Sequence, residues 1–243
     1  MSASFGHRHR GVCSSKFTIF PHNSQSPNMT IDQMRLSYTL AGLAESDLAA
    51  DPLQQFHTWF QQAGADEKPE WLEVNAMTLA TADLSGRVTS RIVLLKGVED
   101  GKFLFFTNYL SEKATQMAAN PTVSLCFYWP HLQRQVRVNG TVTKTSRAAS
   151  ESYFATRPRG SRLGAILSKQ SEIIDGRQYL EQQLRELETR YDGRDDIPCP
   201  EHWGGYAVDP TQIEFWQGRD SRLHDRLLYR RIDQVWQIVR LSP

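Results

Sequence analysis

Residues 76–96 read AMTLATADLSGRVTSRIVLLK, and this stretch decides the fold. A run of small and apolar residues from Ala76 to Ala82 meets the polar tetrad Asp83-Leu84-Ser85-Gly86, and a second run extends from Val88 to Lys96. Two β-rich runs around a turn that closes on glycine predict an antiparallel hairpin. Upstream, Asp51-Pro52 opens a helix, with aspartate as N-cap and proline in the first turn. Leu53, Phe56, Trp59 and Phe60 recur there at helical spacing and form one buried stripe. Downstream, Phe103 to Asn108 is a strand, and Ser111 caps a short helix that stops before Pro121. Thr122 to Tyr128 and Gln133 to Thr143 pair around Trp129-Pro130-His131. Ser146 caps a helix that carries Tyr153 and ends near Pro158. Arg177 to Tyr191 places Leu180, Leu184, Leu187 and Tyr191 on one face. The chain then returns to strands at Gly205–Val208, Gln212–Trp216, Arg226–Arg231 and Val235–Leu241, the last two joined at Asp233-Gln234. About eight short strands with helices inserted irregularly disfavour a doubly wound parallel sheet. Neither a GxGxxG after a strand nor a GxxxxGK[ST] loop occurs. The expected fold is mainly β (α+β): an antiparallel barrel with peripheral helices.

The 243 residues carry 28 Lys+Arg against 27 Asp+Glu, a formal net charge of +1. Such balance argues against a dedicated nucleic-acid binder and against a polybasic membrane anchor. Hydrophobic residues make up 40% and aromatics 10%, too rich for a disordered chain, and no apolar run approaches the ~18 residues of a membrane helix. The three cysteines, Cys13, Cys126 and Cys199, are widely spaced with no CxxC. A disulfide framework and a cysteine zinc site are therefore not expected, and the usage suits a reducing cytoplasm. Cys126, inside an apolar run, reads as a small core residue. Residues 1–28 contain no acid and are rich in Ser and His, with Arg8, Arg10 and Lys16. A mitochondrial transit segment shares that composition, but the amphipathic stripe is missing. The expectation is a disordered leader or an upstream start, with Met29 as first functional residue and 29–243 as one domain.

Three clusters could carry chemistry. In Arg91-Ile92-Val93-Leu94-Leu95-Lys96, alternation sets Arg91 on one face and Lys96 on the other. An arginine fork and a lysine point charge suit a phosphate; solvated strand ends are the other reading. Tyr153 and Arg157 stand four apart on a helix, with Ser161 just past Pro158. Phenol, guanidinium and hydroxyl could hold a phosphate monoester, or form an ordinary helix end. Arg222, His224 and Arg226 share strand parity, with Trp216 close in sequence. That face is either a site for an anionic or aromatic partner or a charged edge strand. No G-x-S-x-G elbow, HExxH or clustered cysteine pair occurs, so serine hydrolysis and metal catalysis are disfavoured. These residues imply a phosphate-binding, aromatic-walled site and no particular reaction.

Taken in order, RIVLLK at 91–96, FFTN at 105–108, QRQVRV at 133–138, SKQS at 168–171, WGGY at 203–206, EFWQG at 214–218 and RLHDR at 222–226 resemble the pyridoxine (pyridoxamine) 5′-phosphate oxidases. Tyr153 to Pro158 adds to the match, which runs from about Gln33 to Pro243. EFWQG followed by RLHDR is its most specific part. The resemblance implies an FMN-binding split β-barrel of antiparallel Greek-key type and a homodimer with FMN at the subunit interface. It implies that Arg91 and Lys113 contact the FMN phosphate. Ile92, Val93, Leu94, Leu95, Lys96, Phe106, Thr107 and Gln135 line the flavin, and Gln170, Ser171, Trp216 and Arg226 complete its site, partly from the other subunit. Lys96, Tyr153, Arg157 and Ser161 hold the substrate phosphate. Arg222 and His224 lie over the substrate ring as catalytic residues, and Arg35 and Tyr38 close over it. The implied reaction converts pyridoxamine or pyridoxine 5′-phosphate and O2 to pyridoxal 5′-phosphate and H2O2, with ammonia from the amine. Another split-barrel flavoprotein or a non-catalytic flavin or pyridoxal phosphate binder are the alternatives. One departure stands out: many members read Ser-Arg-Lys where this chain has Ser111-Glu112-Lys113.

Overall fold

The computed structural model describes residue 31 and residues 37–65 and 68–243. Residues 1–28, Met29 and Arg35 lie outside the described residues.

The hairpin forms as the sequence predicts. Strand β1 (Ala76–Ala82) pairs with β2 (Val88–Leu94) in antiparallel register, Ala76 opposite Leu94 and Ala82 opposite Val88. Asp83 makes the turn: its Oδ1 accepts from the Ser85 and Arg87 amides at 2.9 and 3.0 Å, and Gly86 takes φ +83°. A side chain that satisfies backbone donors and a glycine in the left-handed region are what a tight turn needs.

The other elements follow: α1 (Pro52–Ala63), β3 (Gly97–Glu99), β4 (Lys102–Asn108), α2 (Glu112–Ala119), β5 (Thr122–Trp129), β6 (Arg134–Lys144), α3 (Arg147–Ala155), α4 (Arg159–Leu167), α5 (Arg177–Arg190), β7 (Trp203–Gln217), β8 (Asp225–Ile232) and β9 (Val235–Arg240). All strand pairs are antiparallel, in the order β2-β1-β5-β6-β7-β4-β3, with β8 on β7 and β9 on β8. β7 splits the sheet. One edge follows β6 over residues 206–217, whereas the other pairs β4 over 203–208 and β8 over 212–217. Pro210 sits at the fork, where a missing amide costs no ladder bond. Opposite it the register shifts between Asn139 and Gly140. A Cβ on Gly140 would stand 2.2 Å from the Asp209 carbonyl oxygen, so only glycine lets the strands approach. This curled, forked sheet is a split β-barrel.

Helix α1 fills its hollow. Asp51 caps it by accepting from the Leu53 amide at 3.0 Å, with Pro52 in the first position. Its buried stripe meets the sheet through Phe56, 4.9 Å from Phe103 and 5.1 Å from Phe127, and through Trp59, 5.1 Å from Phe215. Each such side chain contributes about 2–3 kcal/mol on burial. A smaller core of Phe154, Leu163, Leu187 and Trp203 lies under α3, α4 and α5.

Several expectations are corrected. The second strand ends at Leu94, not Lys96, and a short β3 follows. Residues 205–208 and 212–216 belong to one strand. A helix starts straight after Pro158, since proline suits a helix entry. Cys126 faces away from the core, on the opposite side of β5 from buried Leu125 and Phe127. Arg222 and His224 do not share a strand face with Arg226. β8 begins at Asp225, and Ser221 and Arg222 take left-handed φ of 55° and 62°. Two successive non-glycine residues there bend the chain out of any ladder.

Candidate active site

A cavity of about 770 Å³ opens between β2, the end of β4, α2, the α3–α4 junction and the segment at 170–171. β2 ends the strand order and has no partner on its outer side among the described residues. Arg91, Ile92, Val93, Leu94 and Lys96 therefore all reach the cavity regardless of parity. An edge strand presents both faces and its free backbone groups at once. Leu95 does not join them: it is buried in the core, with its amide on Asn75 O at 2.8 Å.

Four cations line the cavity. Lys113, in the first turn of α2, is buried, and its Nζ donates to Gln170 Oε1 at 2.8 Å and to Thr107 and Ser111 hydroxyls at 3.1 Å each. All three acceptors are neutral. Burial, with Arg91 adding and Glu112 opposing, pushes the ammonium down to about 8. Arg91 is held on the hairpin by Thr81 Oγ1 at 2.7 Å and Thr89 Oγ1 at 2.5 Å, and burial lowers it too. Its threonines were legible: Thr89 precedes it by two on β2, and Thr81 faces Thr89 in register. Glu112 also lines the cavity but is claimed by Arg87, whose Nη2 is 2.8 Å from its Oε1.

The far wall is aromatic. Phe106 stacks on Tyr153 at 4.0 Å and on Trp203 at 5.5 Å. Arg157 lies over Trp203 at 4.6 Å, and its buried Nη1 has no hydrogen-bond partner among the described residues. Burial pushes its guanidinium below its ordinary value. It follows α3 rather than sitting on it, yet still lines the cavity with Tyr153, and Ser161 joins them from α4. Lys96 is 5.9 Å from the Tyr153 ring. Trp203, the platform under Arg157, had no assigned role; it lay within the quoted WGGY string, with nothing to mark its contact.

Thirteen expected residues thus meet in one cavity: Arg91 to Leu94, Lys96, Phe106, Thr107, Lys113, Tyr153, Arg157, Ser161, Gln170 and Ser171. Of the other described residues, Tyr38, Gln135, Trp216, His224 and Arg226 form a second cluster. Tyr38 packs edge-on to Trp216 at 5.8 Å and to His224 at 5.7 Å, and Trp216 and His224 are 4.7 Å apart. Gln135 and Arg226 flank Trp216 on neighbouring strands. Arg226 is engaged by buried Glu214, Nε to Oε1 2.8 Å. Arg222 is exposed. The Arg219 amide donates to His224 Nδ1 at 3.1 Å, so the neutral ring carries its proton on Nε2. Burial and Arg222 hold His224 below its usual value, which favours that neutral form.

The family described as pyridoxamine 5′-phosphate oxidase matches residues 66–191, and its pyridoxine 5′-phosphate oxidase C-terminal dimerisation region matches 203–243. The pyridoxine/pyridoxamine 5′-phosphate oxidase of Rhodopirellula baltica is 59% identical over 216 residues, covering 88% of this chain and 96% of that one. That of Paraburkholderia phytofirmans is 53% identical, covering 88% and 99%. Among solved structures, PhzG from Burkholderia lata 383, in complex with tetrahydrophenazine-1-carboxylic acid, is similar at TM-score 0.76 and 26% identity over 83% of this chain and 98% of that one. A pyridoxamine 5′-phosphate oxidase-related, FMN-binding protein from Nostoc punctiforme shares the fold at TM-score 0.64 and 20% identity, over 81% and 100%. With both family regions matched and over half the residues identical to a full-length relative, the chain belongs to the pyridoxine/pyridoxamine 5′-phosphate oxidase family of oxidoreductases.

Proposed function

We propose that this chain, as a homodimer holding FMN, oxidises pyridoxamine and pyridoxine 5′-phosphates with O2 to pyridoxal 5′-phosphate and H2O2, releasing ammonia from the amine. One observation carries the reading: the cavity holds two groups of cations, fully or partly buried at Lys113, Arg91 and Arg157, that no carboxylate among the described residues pairs. Lys113 with Arg91 forms one, and Arg157 with the orphaned Nη1 forms the other, beside Lys96. Buried charge without a counter-ion is costly and marks a place for one. A flavin phosphate and a substrate phosphate supply the two anions, so the residues fit the cofactor.

The chemistry that FMN would supply when bound is two-electron redox exchange between the substrate and dioxygen. The rest belongs to the chain. Arg91 and Lys113 grip the flavin phosphate, with Thr107, Gln170 and Ser171 around it. The free edge of β2 at Ile92–Leu94 offers backbone donors and acceptors to a flat heterocycle. Lys96, Tyr153, Arg157 and Ser161 hold the substrate phosphate. His224 donates from Nε2 and Arg222 supplies positive charge over the ring, while Tyr38 excludes water. Because Trp216, His224, Gln135 and Arg226 lie in a separate cluster, they act on the cavity of a second copy, and the dimerisation region at 203–243 supports that arrangement.

Purified protein should be yellow and, given pyridoxamine 5′-phosphate in air, should form aldehyde and peroxide together. Bound flavin with no turnover of either vitamer rejects the oxidase reading. Turnover of a tetrahydrophenazine carboxylic acid alone assigns the other substrate class. Arg157→Ala should raise KM about tenfold or more with little change in kcat, because it removes ground-state phosphate binding. An unchanged KM removes Arg157 from the clamp.

A further inference from the structure

The segment that carries Tyr38 is fastened by a charged network that none of the site assignments uses. Leu43 is its anchor. Its side chain is buried in the main core. Its amide donates to Asp225 Oδ2 at 3.0 Å, and its carbonyl accepts from Arg240 Nη2 at 3.0 Å. Arg240, the last residue of β9, also forks onto Glu45, with Nε–Oε1 2.8 Å and Nη2–Oε2 2.9 Å, and its Nη1 reaches Asp225 Oδ1 at 2.7 Å. Arg219 Nε is 3.8 Å from Asp225 Oδ2, and the amide of the same Arg219 fixes His224 Nδ1. Asp225 stands in the chain between His224 and Arg226.

We infer that Asp225, Arg240 and Glu45 are positioning residues: they lock residues 37–45 against the His224 turn and so seat Tyr38 on Trp216 and His224. The inference rests on the function proposed above. An isolated surface ion pair would be too weak for this role. Here the guanidinium is shared bidentately by one carboxylate and singly by another, and both backbone groups of Leu43 are held by members of the same network, which is the geometry that makes charged pairs effective. Because the turn bearing His224 and the segment bearing Tyr38 share Asp225 as their fastening, neither can shift without loosening the other.

The test uses the FMN-loaded enzyme and the variants Arg240→Gln and Glu45→Gln, with Arg240→Lys as the conservative control. Amide hydrogen exchange in peptides covering 38–45 should accelerate about tenfold in Arg240→Gln and less in Glu45→Gln. KM for pyridoxamine 5′-phosphate should rise about fivefold, while FMN affinity stays within about twofold and Arg240→Lys recovers part of the loss. Added salt should raise the wild-type KM by a larger factor than that of Arg240→Gln, the rise common to both coming from screening of the phosphate clamp. Faster exchange with unchanged KM overturns the coupling, and unchanged exchange overturns the lock. If Arg240→Gln fails to fold, Glu45→Gln, an exposed partner, decides. Equilibrium binding of pyridoxal 5′-phosphate runs alongside. A wild type that does not oxidise either vitamer rejects the functional reading, whereas equal ligand affinity in wild type and variants rejects the lock.

Discussion

Lys113 concentrates the logic of the site in one ammonium. Its three acceptors are uncharged, and burial has lowered it to about 8. Only the protonated form attracts a phosphate, so FMN affinity should weaken as pH rises through about 8. Fluorescence titration of apo-protein between pH 7 and 9 reads this, and Lys113→Met should flatten the curve. The linkage has the opposite sign for the empty protein. Its folded-state value is depressed, so the unfolded chain holds more protons between about 8 and the ordinary lysine range near ~10.4, and apo stability rises with pH across that window. Glu112, the departure from the family pattern, is offset by Arg87 at 2.8 Å. Glu112→Arg should therefore tighten FMN by no more than about fivefold. Arg87→Ala, which leaves a bare carboxylate beside Lys113, should weaken FMN by more than Glu112→Arg strengthens it.

Elements show what could be read from the chain and what could not. The 76–94 hairpin was legible because alternation and the Asp83–Gly86 turn agree. The continuity of β7 was not: Gly204, Gly205 and Pro210 look like punctuation, and only the pairing of the two glycines with β4 and of residues 206–217 with β6 shows that they interrupt nothing. The turn at 221–222 was equally hidden, since serine and arginine give no warning of left-handed φ. Parity in β5 did contain the outward direction of Cys126, because Leu125 and Phe127 on either side face in. Most of the cavity was legible as short strings in order, whereas Trp203 beneath Arg157 depends on a contact 46 residues away in sequence (203 less 157) and left no local mark. At this scale the fork in β7 can be tested. Gly140→Ala drives a Cβ to 2.2 Å from the Asp209 backbone oxygen, and backbone cannot step aside as a side chain can. Thermal denaturation should show a loss of about 1–3 kcal/mol, with FMN affinity reduced less than stability.

For the whole molecule, a net charge of +1 conceals the local excess of Arg91, Lys96, Lys113 and Arg157 around one cavity. The two separate clusters also make a prediction that one subunit cannot satisfy. Co-expressed Arg157→Ala and His224→Ala chains are each defective in a different cluster. Mixed dimers in which one copy's His224 serves the other's cavity contain one intact site of two, and should recover about half of the wild-type kcat/KM per dimer, read at substrate well below the wild-type KM. Recovery that never exceeds the sum of the two parent variants would place both clusters in one subunit's site.

The free edge of β2 has a further consequence, for the protein's life before it meets its ligands. A strand with an unpaired backbone edge can be paired by any passing extended chain, and Val88 and Ile92 on it are exposed. Arg87, Arg91 and Lys96, spaced along and just beyond that strand, place repelling charge where two such edges would meet. These cations thus act as gatekeepers against aggregation, and on the proposed function a newly made chain short of flavin is the form that depends on them most.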